Sequence, residues 1–145
     1  DILFGNHRDV SLLLDRSFSG EGPDRRREAA EAAFGEFPKL RTIASTARHV
    51  LDSDRHRISA RVDTRDGSHE TSEAEISGIV DRIGAGDAFA AGVLHGLIES
   101  GGDARAGAEA GLALTALKHS LPGDASLFTR ADLAAFAQSG ADVRR

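Results

Sequence analysis

An acid directly behind a glycine-spaced turn is where residue types and spacing in this chain point to chemistry: Asp81-Arg82-Ile83-Gly84-Ala85-Gly86-Asp87-Ala88-Phe89. Glycines at a loop-to-helix junction allow backbone conformations that a side chain forbids, and they leave room for a ligand against the main chain. The first N–H groups of a helix lack internal partners and lie at the positive end of its dipole. Such a terminus binds phosphate or another anion. Asp87 puts a carboxylate beside that anion site. A negative group there opposes a negative ligand, so it needs a task, and taking the proton of an attacking hydroxyl is one. The bland alternative is an acid in the first turn of a helix, favourable by about 0.3–1 kcal/mol.

A turn of this kind needs a strand-like lead and a helix behind it. Ile79 and Val80 lead in, and Ala88 to Ser100 reads as a helix ended by Gly101-Gly102. Ile2-Leu3-Phe4 reads as the end of a buried strand, stopped by Gly5-Asn6. Asp9 to Leu14 has the apolar spacing of a short helix. Ser17 to Asp24 is a loop rich in Gly, Ser and Pro, and Asp24 caps a helix running to about Phe37. Leu40 to Ser45 and Ile58 to Val62 read as strands. Asp66-Gly67 signals a hairpin whose second strand includes His69 and Thr71. Ala104 to about Ser120 is a second small-residue helix, closed by Leu121-Pro122-Gly123. Thr129 caps a last helix, Arg130 to Ser139, stopped by Gly140. Alternating strands and helices predict an α/β layered fold. Ala88, Ala91, Gly92 and Gly96 on one helix, and Ala106, Ala110, Ala113 and Ala116 on the other, suit tight core packing.

Asp81, Gly84, Ala85, Gly86, Asp87, Phe89 and Gly92 closely resemble the GAGD signature of the ribokinase-like (PfkB) carbohydrate kinases. Arg82 stands where that family usually has threonine; it could neutralise phosphate or pair with Asp81. The Asp81-Arg82 form, with Lys118-His119-Ser120-Leu121-Pro122-Gly123-Asp124, is most similar within the family to the kinases of 2-keto-3-deoxygluconate. The resemblance implies the C-terminal part of a ribokinase-like three-layer α/β/α domain. It implies ATP and Mg²⁺, with Asp87 as the general base and Gly84, Ala85 and Gly86 as an anion hole built from N–H groups. It also implies that the second small-residue helix flanks the adenine pocket. The implied reaction is phosphorylation of 2-keto-3-deoxygluconate to its 6-phosphate. Family members run to roughly twice this length, and the chain has no methionine and opens on Asp1. It is therefore expected to be the nucleotide-binding, catalytic-base portion, without a sugar-binding half or lid, and inactive toward sugars in isolation.

Other candidates are less specific. Asn6-His7-Arg8-Asp9 resembles the family's Asn-x-x-Glu motif, with aspartate one methylene shorter; hard oxygen ligands suit Mg²⁺. Asn6 could equally support a turn and Asp9 cap the next helix. Ser45 and Thr46 follow the expected strand where many relatives carry Lys-x-Gly-x-x-Gly, and their hydroxyls could contact the nucleotide. Lys118 and His119 can complement a helix dipole. Asp124 could meet sugar or nucleotide, or simply belong to a turn. The six histidines show no metal-site spacing, and His95 reads as packing or surface.

Composition bounds the rest. At 145 residues, 40% hydrophobic and 28% charged, the chain is one domain's worth of soluble globular protein. No apolar run approaches the ~20 residues of a membrane span. The absence of cysteine excludes disulfides and thiolate metal sites and fits the cytoplasm. A net charge of −5 gives no general attraction to nucleic acid, and Arg25-Arg26-Arg27 is read as a solvated helix face. The expected partner is a small-molecule sugar, with no nucleic acid or membrane; a homo-oligomer is compatible with the sequence. Phe89 stands where a dinucleotide-binding Gly-x-Gly-x-x-Gly needs its third glycine, and no P-loop lysine occurs. The alternatives that remain are a fructokinase or nucleoside kinase of the same family and a non-catalytic nucleotide-binding remnant.

Overall fold

The protein's computed structural model describes residues 1–19 and 22–138. Five strands form one mixed sheet. β1 (Ile2–Phe4) runs parallel to β2 (Thr42–Val50), in the register Leu3 opposite Ile43. β2 pairs antiparallel with β3 (Arg55–Thr64) along its whole length, from Thr42 opposite Thr64 to Val50 opposite His56. The other edge of β3 is shared by β4 (Ser68–Glu70) and β5 (Ala74–Ser77), both antiparallel.

Helices cover both faces. α1 (His7–Leu14) and α2 (Gly22–Glu36) bury Val10, Ala29, Ala30, Ala33 and Phe34 with Leu40 and Ile43. α3 (Ala85–Glu99), α4 (Ala104–Lys118) and α5 (Arg130–Gln138) bury the opposite face, where Phe89, Val93, Leu112 and Phe136 meet Ile58, Ala60, Val62 and Ile76. The small-residue stripes belong to this core. A Cβ on Gly92 or Gly96 would collide with the backbone of α4 at Ala110 or Ala106, so the two helices approach as closely as main chains allow. No helix among the described residues is long and apolar enough to cross a membrane.

Several boundaries differ from the sequence reading. α1 starts at His7, two residues earlier than expected, and α2 at Gly22, ahead of its expected cap Asp24. β2 and β3 are much longer than Leu40–Ser45 and Ile58–Val62, because they continue as a hairpin ribbon in which the β2 half is exposed while the β3 half also pairs with β5 and buries His56. Asp52 closes that ribbon by accepting from the amides of Asp54 (2.9 Å) and Arg55 (2.8 Å). β5 was not expected; Ala74 and Ile76 alternate with Glu75 and Ser77 over too few residues to stand out. Thr71 lies just beyond β4, and α3 begins at Ala85 rather than Ala88. The expected end of α5 at Ser139 and its stop at Gly140 fall outside the described residues.

The arginine run is not a solvated face. Arg26 pairs with Glu70 (2.9 Å) and Arg27 with buried Asp63 (3.6 Å). Arg61 holds Asp63 through two bonds of 2.8 and 2.9 Å and reaches Glu70 at 3.3 Å. The α2-facing side of β3 thus carries an ionic network with a buried centre, Arg61 and Asp63, and a partly exposed rim of Arg26, Arg27 and Glu70, and the buried pair is hydrogen-bonded as burial demands.

Candidate active site

Gly84 is the N-cap of α3, at φ 76° and ψ 0° in the left-handed region. A Cβ there would collide with the main-chain carbonyl of Asp124, so the signature turn lies directly on the segment after α4. Asp81 fastens the two. Its carboxylate accepts from the Ile83 amide (3.0 Å) and from the Gly123 amide (2.9 Å). These amides hold the Asp81 carboxyl below its usual range, with burial opposing them and Lys118 adding to them. Val80 N–H donates to the His119 carbonyl (2.8 Å), and Thr115 donates its hydroxyl to the Ala85 carbonyl (2.8 Å). The Asp81 carboxylate serves these amides, and among the described residues it forms no ion pair with exposed Arg82.

Of the three amides expected to face an anion, Ala85 donates to the Arg82 carbonyl (3.2 Å). Among the described residues, the amides of Gly84 and Gly86 have no hydrogen-bond acceptor, as the first turn of a helix provides none. A Cβ on Gly86 would meet nothing within 4 Å, so open space adjoins that residue. Asp87 follows, exposed, in the first turn of α3.

Phe4 meets Phe89 edge-on, with ring centroids 6.3 Å apart. This contact joins the carboxyl end of β1 to the first turn of α3, so the Asn6–Asp9 segment and the signature turn rise from neighbouring elements. Asn6 caps α1 by accepting from the Arg8 amide (2.8 Å), and Asp9 accepts from the Asn6 amide (2.7 Å). The pair is a capping box, which the one-methylene-shorter acid makes at the third helical position. Each side chain uses one oxygen in this way, and the donor chemistry still suits a hard cation. Among the described residues no cluster of three or more acidic, His or Cys side chains is poised for a metal. Ser45 and Thr46 lie inside β2 rather than after it, paired with Arg61 and Ala60. Ser45 borders a narrow gap shared with Asn6, His7, Arg26 and Asp63.

Sequence reasoning missed what lies beneath the turn. Lys118 and His119 are buried, with Lys118 in the last turn of α4, where it can complement the dipole as expected. His119 Nδ1 bonds the Thr115 carbonyl at 2.7 Å, and its ring meets buried His56 edge-on at 6.4 Å. His56 Nδ1 is buried without a partner among the described residues. Burial chiefly, then nearby Arg48 for both rings, with His56 acting on His119, pushes both imidazoles below their ordinary value of 6.5. His7 is shifted the same way by burial and by Arg25. A folded-state value below the unfolded one means that the unfolded chain binds more protons in acid, so stability falls as pH drops below about 6.5. The urea midpoint is expected to be lower at pH 5.5 than at pH 7.5, and His56→Leu to reduce that difference. Equal midpoints at the two pH values would contradict this.

No family model and no curated protein matches the sequence. Solved structures do. A 2-dehydro-3-deoxygluconokinase from Thermotoga maritima is 29% identical, with TM-score 0.84 over 95% of this chain and 42% of that one. A PfkB family carbohydrate kinase from Listeria grayi is 29% identical, with TM-score 0.81 over 95% of this chain and 41% of that one. A nucleoside kinase from Burkholderia thailandensis, solved with inosine, is 26% identical, with TM-score 0.59 over 95% of this chain and 39% of that one. The chain spans about two fifths of the length of these structures. Its architecture is that of part of a ribokinase-like α/β domain, as the signature turn implied.

Proposed function

We propose that this chain is the nucleotide-holding and proton-accepting portion of an ATP-dependent sugar kinase. Its substrate is 2-keto-3-deoxygluconate, phosphorylated on the terminal hydroxyl to give the 6-phosphate, and its place is the cytoplasm. Sugar recognition and the lid belong to sequence beyond these 145 residues. The observation that carries this reading is the start of α3, where Gly86, its amide without an acceptor among the described residues, borders open space and the next residue is exposed Asp87.

In the proposed reaction Asp87 accepts the proton of the sugar hydroxyl. The hydroxyl oxygen bonds the γ-phosphorus while the phosphorus–oxygen bond to ADP breaks. The amides of Gly84 and Gly86 stabilise the charge spread over the transferring group, which is the main catalytic task in phosphoryl transfer. Asn6 and Asp9 would hold Mg²⁺ through their oxygens and retained waters, and that ion supplies neutralisation of the phosphate charge. Ser45 and Thr46, drawn into β2, contribute at most from the strand.

Gly86→Val tests the reading. With open space around that position, the variant should fold and melt as the parent does. Its affinity for an ATP analogue, followed by calorimetry, should drop by at least about tenfold, which is 1.4 kcal/mol. Unchanged affinity would oppose the cradle. The likeness to a nucleoside kinase supports a second reading, phosphorylation of a nucleoside. Turnover of the assembled enzyme on a panel of keto-deoxy sugars, fructose and inosine separates the two.

A further inference from the structure

Lys118 is the last residue of α4 and has no solvent-exposed surface. Burying an ammonium is costly unless it is compensated, and methionine would fill the same space without the charge. The ammonium donates to the Leu121 carbonyl at 2.9 Å, and the Leu121 amide returns a bond to the Lys118 carbonyl at 3.1 Å. Lys118 thus ties down the start of the 121–124 segment. Asp81 ties down its end, through the Gly123 amide. Asp81 is also the opposite charge that Lys118 favours electrostatically. Directly after the second tie comes the Asp124 carbonyl, the surface against which Gly84 takes its left-handed conformation.

We infer that Lys118 is a positioning residue for the anion cradle: its buried ammonium and the Asp81 carboxylate clamp the 121–124 segment against the signature turn. The inference rests on the proposed function for what the cradle holds, but the clamp itself is a property of the free chain. A lysine that only complemented the α4 dipole would leave the turn indifferent to its charge.

The test uses the 145-residue chain. Amide hydrogen exchange is followed by NMR at Ile83 and Gly123, with Val93 in the α3 core as the internal reference, and affinity for a non-hydrolysable ATP analogue with Mg²⁺ is measured in parallel. Lys118→Met should speed exchange at Ile83 and Gly123 at least tenfold, leave Val93 unchanged and weaken the analogue at least tenfold. In Lys118→Ala, added ethylammonium should restore slow exchange and ethanol should not. Unchanged exchange at Ile83 and Gly123, or equal acceleration at Val93, overturns the clamp. If Lys118→Met does not fold, Asp81→Asn decides: tenfold faster exchange at Gly123 supports the clamp, and wild-type exchange overturns it. Loss of loop protection in a chain that never binds the analogue supports the clamp and contradicts the kinase reading alone. Intact protection with intact analogue binding contradicts the clamp alone.

Discussion

Asp87→Asn in the assembled enzyme is expected to lower kcat by about 10³-fold or more while nucleotide affinity stays nearly that of the parent. Asparagine keeps the size and the exposed position of the acid in the first turn of α3. It cannot accept a proton from a sugar hydroxyl at neutral pH. The amides of Gly84 and Gly86 are untouched, so phosphate binding should persist or improve slightly as a negative charge beside it is removed. The alternative, an acid that merely stabilises the helix terminus, forecasts a loss of under about 1 kcal/mol in stability and no loss in turnover. Steady-state kinetics with an independent nucleotide titration separates the two, and near-parental turnover would contradict the role assigned to Asp87.

Gly84→Ala should damage the same site by another route. The left-handed backbone at φ 76° costs a non-glycine residue about 1–3 kcal/mol. The added methyl also meets the Asp124 carbonyl, which is backbone and cannot rotate away. The turn and the 121–124 segment must then separate, breaking the bond from the Gly123 amide to Asp81. Both the melting temperature and nucleotide affinity should fall, affinity by at least about tenfold, or 1.4 kcal/mol. The contrast with Gly86→Val is diagnostic: one glycine is required by the fold and the other by the ligand. Parental melting and binding in Gly84→Ala would show that the turn does not need its left-handed cap.

The turn itself was legible because glycine spacing, an acid and a following apolar helix are local features, and the structure realises them within a few residues. The sheet was legible only in part. Ile58 to Val62 alternates visibly, but the Thr46–Val50 half of β2 is exposed and polar, so only its pairing with β3 marks it as strand. The displacement of Ser45 and Thr46 from a loop into β2 follows from that error. Asn6 and Asp9 were recognised as a pair with two readings; the structure shows a capping box in which Asn6, rather than Asp9, is the N-cap. Arg26 and Arg27 were misjudged for a common reason. Charged residues are rarely buried unless paired, and the partners Glu70 and Asp63 lie far away in sequence, where only the folded chain joins them to the arginines.

A crystal structure of the assembled enzyme with a non-hydrolysable ATP analogue, Mg²⁺ and the sugar tests the account most directly. The terminal phosphate should rest on the amides at the start of α3, with an Asp87 oxygen about 3 Å from the sugar's terminal hydroxyl. A terminal phosphate bound away from Gly84 and Gly86, or a sugar hydroxyl out of reach of Asp87, would contradict it.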